Sequence, residues 1–247
     1  MRNENAECRN THADKAHFYD LGRPAYPQAF FEWLPPAPVV ADIGAGTGKV
    51  TRGFLERGSR VFAVEPDDNM RRILQSRTSA FERCTVLGTC AESTGIPAGV
   101  ADMIFCGNSY YWFDRAKAIP EFRRILKPGN GANVILAWLG GSPKESGELY
   151  EALGRHRKPM DGRHDESPPF REGAFETKEF EFTLHRDWNA FLSGMLSASF
   201  SPNPGDGCYH DYCQIIQRHF ERYSQNGKLE TKFKLTCMIG NVRNLCH

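Results

Sequence analysis

Three glycines at alternate positions, Gly44, Gly46 and Gly48, follow a short apolar run from Val39 to Ile43 and precede the helical pattern of Lys49 to Arg57. A strand, then a turn free of Cβ atoms, then a helix lets backbone approach a ligand closely. The helix start adds free amides and a partial positive charge suited to a carboxylate or a phosphate. Asp42 and Ala45 belong to the same turn. A dinucleotide site wants G-x-G-x-x-G or A, whereas here the third glycine comes one residue early and Lys49 follows; the G-x-x-x-x-G-K-[ST] spacing of a phosphate loop is missing too. Glu65 ends the second apolar run, Arg60 to Val64, and Pro66 stops the ladder behind it. An acidic side chain placed there can accept both hydroxyls of a ribose.

The same rhythm continues along the chain. Asp67 to Ser76 reads as a helix, Thr85 to Gly88 and Ala101 to Cys106 as strands, Ala116 to Leu126 as a helix, and Ala132 to Trp138 as a fifth strand. Runs this short and this apolar, alternating with helices, predict a parallel sheet covered on both faces. Beyond Gly140 the texture changes. Lys144 to Arg157 is charged and helix-like, Pro159 to Glu172 is rich in Pro, His and charge, and Glu179 to Leu184 alternates like a strand within this region. Asp187 to Ser199 and Tyr209 to Ser224 carry helical patterns, and Leu229 to Met238 alternates as a terminal edge strand after Asn226-Gly227. The expected fold is α/β and doubly wound, a Rossmann-like seven-stranded sheet, mostly parallel with an antiparallel C-terminal strand, under a helical cap. One domain spans 1–247, divided into an N-terminal lid segment (1–37), a cofactor-binding core (38–140), a substrate cap (141–226) and the terminal strand (227–240).

Composition narrows the partners. With 31 Lys and Arg against 30 Asp and Glu, the formal charge of +1 offers no field to attract nucleic acid or an anionic membrane. The eight cysteines form no C-x-x-C pair and no repeated spacing, so reduced thiols and a cytoplasmic location are expected, with no metal site. The first fifteen residues lack an apolar signal region, and no run approaches the roughly 18 apolar residues of a membrane span. The expected partner is a small molecule, and the chain itself a monomer or weak homodimer.

The run VVADIGAGTGKVTRGFLERGSRVFAVEPDDNMRRIL resembles the first two motifs of the class I S-adenosylmethionine-dependent methyltransferases. The likeness continues through Cys90 to Pro97 (CAESTGIP), Ala101 to Asp114 (ADMIFCGNSYYWFD) and Glu121 to Gly129 (EFRRILKPG), in the order of the small-molecule branch called type 11. Tyr19 to Pro27 (YDLGRPAYP) is similar to that branch's N-terminal motif, and Ser197 to Pro202 (SASFSP) to its cap, so the resemblance spans about residues 17–240. It implies S-adenosylmethionine as cofactor, with Gly44, Ala45, Gly46 and Gly48 on its amino-acid part and ribose, and Glu65 with Pro66 at the ribose. Ala91 and Glu92 would flank the adenine, Asn108 would face the methionine portion, and Tyr19 and Arg23 would reach its carboxylate. A guanidinium can indeed grip a carboxylate bidentately, although a solvated charge is the plainer reading of Arg23.

Tyr110, Tyr111, Trp112 and Phe113 follow the fourth strand, at the carboxyl edge where open α/β sheets bind ligands. Four consecutive aromatics cannot all face one way; one or two, Tyr110 and Tyr111 foremost, would meet the sulfonium through a π face, worth roughly 0.5 to 2 kcal/mol, and the rest would be core. Many members of the branch carry histidine where this chain has Tyr111, so Asn108 and Tyr111 are the catalytic candidates and a neutral-pH base is missing from its usual place. His164, His185 and His210 are the remaining candidates, each more ordinarily a surface residue. The expected activity is methyl transfer to a small molecule such as a natural product, with S-adenosylhomocysteine as product. Two alternatives stand beside it: cyclisation of the cofactor's own amine to an azetidine, releasing methylthioadenosine, and cofactor binding without catalysis.

Overall fold

The computed structural model describes residues 15–129, 133–141, 143–157 and 169–246. Seven strands form a single sheet in the order β3-β2-β1-β4-β5-β7-β6. They are β1 (Val39–Ile43), β2 (Arg60–Val64), β3 (Cys84–Leu87), β4 (Met103–Gly107), β5 (Asn133–Gly141), β6 (Phe175–Arg186) and β7 (Leu229–Asn241). The ladders from β3 to β5 are parallel, and β7 runs antiparallel to both β5 and β6, so six strands point one way and β7 the other.

Period-two alternation inside the apolar strands builds two cores. Ala41, Ile43, Ile104, Cys106, Val134 and Leu136 point to one face, where helix α5 (Arg115–Ile125) covers them with Ile119, Phe122 and Ile125. Val40, Val61, Ala63, Met103, Phe105 and Ile135 point to the other. There they meet Phe30 and Phe31 of α2 (Gln28–Trp33), Phe54 and Leu55 of α3 (Lys49–Glu56), and Leu74 of α4 (Asp68–Thr78). Asp67 caps α4, its carboxylate accepting from the amides of Asn69 and Met70 at 2.8 Å each.

A third cluster lies outside the sheet. Leu149 and Leu153 of α6 (Pro143–Leu153), Phe191 and Leu196 of α7 (Trp188–Leu196), and Tyr212, Ile216 and Phe220 of α8 (Tyr209–Tyr223) pack together with Phe18 of α1 (Ala16–Gly22) against them. The N-terminal helix is therefore part of the cap. A Cβ at Gly22 would lie 2.1 Å from the Gly194 nitrogen, so α1 and α7 cross in direct backbone contact. Arg186 secures the crossing by donating to the carbonyls of Gly22, at 2.7 Å, and Ala190. Lys15 anchors the start of α1, its buried ammonium donating to the carbonyls of Ala198 and Ser201 at 2.9 and 2.6 Å.

Three expectations need correction. The last strand is not an edge: β7 is paired on both sides, and β6 takes the rim. The strand placed within the cap, Glu179 to Leu184, is the middle of the longer β6 and belongs to the main sheet, so the region 141–226 is not all cap. Alternation shows which residues of a strand share a face, not which strand lies beside it. Third, Cys90 is disulfide-bonded, so the cysteines are not all reduced. The N-terminal residues before Lys15, the Pro-rich stretch over 158–168 and His164 lie outside the described residues. Among the described residues no helix is long and apolar enough to cross a membrane, and no His, Cys, Asp or Glu group could hold a metal ion.

Candidate functional site

At the carboxyl end of β1 the chain turns through Gly44, Gly46 and Gly48 with φ of 75°, 57° and 80°, a left-handed backbone that favours glycine. Gly44 and Ala45 donate their amides to the Val64 carbonyl at 2.9 and 3.0 Å, fastening the turn to the end of β2. Space is as restrictive as conformation at two of the three. A Cβ on Gly44 would lie 2.5 Å from that of Ser109, and one on Gly48 2.5 Å from Leu74 Cδ1. Gly46 is different, because its added Cβ would find only Tyr19, at 3.7 Å. That face is open toward Tyr19, which itself lines the pocket.

Two buried carboxylates brace the turn. Glu65 accepts from the amides of Gly46 at 2.7 Å and Asp67 at 2.9 Å, and Asp42 accepts from the Thr51 hydroxyl at 2.5 Å. Burial pushes both carboxyls up to about 7, against the opposing pull of these hydrogen bonds. Pro66 follows Glu65 directly, and both its carbonyl and that of Glu65 accept from Arg71.

The roof of the pocket comes from α1 and the segment after it. Arg23 lies 5.3 Å from the centre of the Tyr19 ring, and its buried Nε has no hydrogen-bond partner among the described residues. Tyr26 stacks edge-on against Phe30 and Phe105 and reaches over Gly107. Arg77 of α4 donates to the Thr47 carbonyl at 2.5 Å and pairs with Asp20 of α1 at 2.5 Å, so one guanidinium joins the roof to the glycine turn.

After β4, Asn108 adopts φ 53°. Its side-chain amide pairs with the Leu139 backbone, accepting at 3.0 Å and donating at 3.3 Å, which continues the β4–β5 ladder one step beyond the strand. The residue lines the pocket, but its amide is held by β5 rather than turned freely inward. Tyr110 departs from its expected role. It is buried in the core against Phe113, with the Arg115 guanidinium 4.9 Å from its ring centre, and is not among the pocket-lining residues. Tyr111 stays half-buried and close enough to Tyr19 and Arg23 to feel their charges, while burial pushes its hydroxyl up to about 12. Ala91 is buried, and Glu92 accepts from the Asp114 amide at 2.8 Å, bracing the start of α5. His185 and His210 are exposed on β6 and α8, and neither lines the pocket.

The resulting cavity holds about 40 Å³ and is walled by Tyr19, Arg23, Tyr26, Asp42, Gly44, Ala45, Thr47, Lys49, Val50, Phe105, Asn108 and Leu139. Sequence reasoning did not assign roles to Asp20, Thr47, Lys49, Thr51, Arg77 or Ser109. Of these Thr47, between two of the glycines, Lys49, beside them, and Thr51, one turn into α3, carry a local signal. Ser109, whose hydroxyl donates to the Ile43 carbonyl at 2.8 Å, and Arg77 act across long stretches of chain. The donor set suits an amino-acid nucleoside: a carboxylate at a strand end, an unsatisfied buried guanidinium, and a glycine cradle open at Gly46.

A family model described as a methyltransferase domain, type 11, matches residues 41–132. An uncharacterized methyltransferase of Mycobacterium bovis is 32% identical over 216 residues, covering 84% of this chain and 81% of its own length. Among solved structures, a candidate type II methyltransferase of Anaeromyxobacter dehalogenans matches with a TM-score of 0.65 at 23% identity, over 89% of this chain and 98% of that one. A phosphoethanolamine N-methyltransferase of Haemonchus contortus, solved with phosphomonomethylethanolamine and S-adenosylhomocysteine, matches with a TM-score of 0.51 at 17% identity, over 94% of this chain and 59% of that one. These two solved structures share the fold. With the glycine turn, the 3-2-1-4-5-7-6 sheet and the Mycobacterium relative in agreement, the chain belongs to the class I S-adenosylmethionine-dependent methyltransferases.

Proposed function

We propose that this methyltransferase acts on a small-molecule acceptor, and that the residues around the glycine turn hold its cofactor, S-adenosylmethionine. The observation that carries the small-molecule reading is the enclosure of the site. Among the described residues α1 roofs the pocket beside the glycine turn, with Tyr19 and Tyr26 in its wall, which suits a small acceptor better than a polymer.

In this reading Glu65, beside Pro66, holds the ribose hydroxyls, and the amide-lined turn from Gly44 to Gly48 carries the amino-acid portion. Arg23 and Tyr19 take the cofactor's carboxylate, which would satisfy the orphaned Arg23 Nε. Ala91 flanks the adenine, with Glu92 steadying the loop beside it. The bound cofactor supplies an electrophilic methyl group on a sulfonium. Asn108, fixed by Leu139, sets the floor on which the acceptor lies. Tyr111, its hydroxyl pushed up to about 12 by burial, keeps its proton at neutral pH and does not serve as a base. The chain's contribution is then mainly orientation, which can supply about 7 to 11 kcal/mol of a barrier.

Purified protein incubated with S-adenosylmethionine and a panel of small metabolites should release S-adenosylhomocysteine and add one methyl group to an acceptor. Turnover only with nucleic acid or protein, and with no small molecule, would sink the reading.

A further inference from the structure

We propose that Arg186 is a positioning residue for cofactor binding, one that aims Arg23 at the cofactor's carboxylate by fixing the peptide between Gly22 and Arg23. The proposal rests on the methyltransferase reading above, in which Arg23 takes that carboxylate, and adds to it a residue that does not line the pocket.

Both sides of that peptide are bonded. Its carbonyl, on Gly22, accepts from the Arg186 guanidinium at 2.7 Å, and its N–H, on Arg23, donates to the Tyr19 carbonyl at 3.0 Å. A planar peptide held on both sides sets the direction in which the Arg23 side chain leaves the backbone. Arg23 then lines the cavity, with its buried Nε unpartnered among the described residues. The Tyr19 bond closes the end of α1 and turns with that helix, whereas Arg186, the last residue of β6, ties the peptide to the sheet.

The cap is shaped around this guanidinium. It also donates to the Ala190 carbonyl in α7 and lies 5.8 and 5.7 Å from the centres of the Phe191 and Phe233 rings. A Cβ on Gly194 would collide with it, and one on Gly22 would collide with the Gly194 backbone, so these glycines make the room that the contact needs. Asp187 is the acidic neighbour of Arg186, but its carboxylate caps α7 by accepting from the Ala190 amide at 2.8 Å. Burial first, and the nearby Arg23 second, pull Arg186 down to about 10, so it stays charged at neutral pH and repels Arg23. That repulsion disfavours an Arg23 side chain folded back toward Arg186 and favours one directed into the cavity. The acidic groups beneath are engaged elsewhere, Asp42 by the Thr51 hydroxyl and Glu65 by the amides of Gly46 and Asp67.

The test is calorimetry on the full chain with S-adenosylhomocysteine and with methylthioadenosine, which lacks the amino-acid end. Arg186→Met should weaken S-adenosylhomocysteine about tenfold and methylthioadenosine by less than about twofold. In an Arg23→Met background the same change should weaken S-adenosylhomocysteine by less than about twofold further, because the residue it acts through is gone. Gly194→Ala keeps Arg186 but displaces its guanidinium from Gly22, so it should reproduce the ligand-selective loss, and it replaces Arg186→Met if that variant does not fold. The proposal is overturned if Arg186→Met, or Gly194→Ala in its place, leaves S-adenosylhomocysteine affinity unchanged, weakens both ligands alike as a merely structural role would, or multiplies with Arg23→Met. If Arg23→Met alone leaves intact the wild-type preference for S-adenosylhomocysteine over methylthioadenosine, the carboxylate assignment itself fails, and the proposal with it.

Discussion

Asp20 of α1 and Arg77 of α4 form an ion pair at 2.5 Å, and the same guanidinium holds the Thr47 carbonyl at 2.5 Å. Both side chains are largely shielded, with 25% and 20% exposure, so the pair is less screened than a surface bridge. It bolts the roof to the turn beneath it. The pair thereby couples the position of α1 to the wall of the pocket beneath it.

Arg77→Met removes the bolt, and with it the hydrogen bond that holds the pocket-lining Thr47. S-adenosylhomocysteine should dissociate faster, with affinity about fivefold to tenfold weaker. Hydrogen exchange in Ala16–Gly22 should rise at the same time. Unchanged exchange there would show that α1 is held by the cap alone.

Glu65 links binding to pH. Its folded-state carboxyl is raised from 4.5 to about 7, so it takes up a proton as pH falls through about 7. The ionised form is the better acceptor for ribose hydroxyls, so affinity should fall on acidification, by up to about tenfold per pH unit below that point. Glu65→Gln should weaken binding about tenfold at pH 8 and flatten much of the profile. Calorimetry with S-adenosylhomocysteine from about pH 5.5 to about pH 8.5 measures both effects.

Asp42 makes the corresponding statement about stability. Its carboxyl is raised from 3.8 to about 7 in the folded chain. Between those values the native state holds a proton that the unfolded chain has lost, so stability is greatest at low pH, declines as pH rises to about 7, and is level above it. Asp42→Asn removes the burden while the Thr51 hydroxyl keeps an oxygen to donate to. Its gain in unfolding free energy should be larger at pH 8 than at pH 5 by about 2 kcal/mol, as read by urea titration. An equal gain at both would contradict the raised carboxyl.

The glycines separate strain from function. Gly48→Ala combines φ of 80° with a contact of 2.5 Å to Leu74, and should cost about 2 to 4 kcal/mol of stability. Gly46→Ala carries the left-handed penalty of about 1 kcal/mol without that clash. Its methyl group projects toward Tyr19; if the cofactor lies as proposed, S-adenosylhomocysteine binding should suffer more than the melting temperature.

The site was legible wherever it is local. Glycine spacing, the buried run of β1 and the acidic end of β2 lie within 27 residues of one another, and hydrophobic periodicity with turn chemistry specifies them almost without reference to the rest of the chain. The cap was readable as helices for the same reason. What the residues could not announce is who stands beside whom. Alternation in Leu229–Asn241 is the same whether that strand is a rim or lies between β5 and β6. Nor does Tyr110 differ from Tyr111 in type, although one is fully buried in the core and the other only half-buried. Asp20 meets Arg77 across 57 positions, Asn108 meets Leu139 across 31, and Lys15 meets Ser201 across 186. Cofactor, family and core were thus written in short-range pattern, whereas the roof latch, the grip of Arg186 on Gly22 and the order of the last two strands arise from packing, because charge and hydrogen-bond partners are chosen by distance in space.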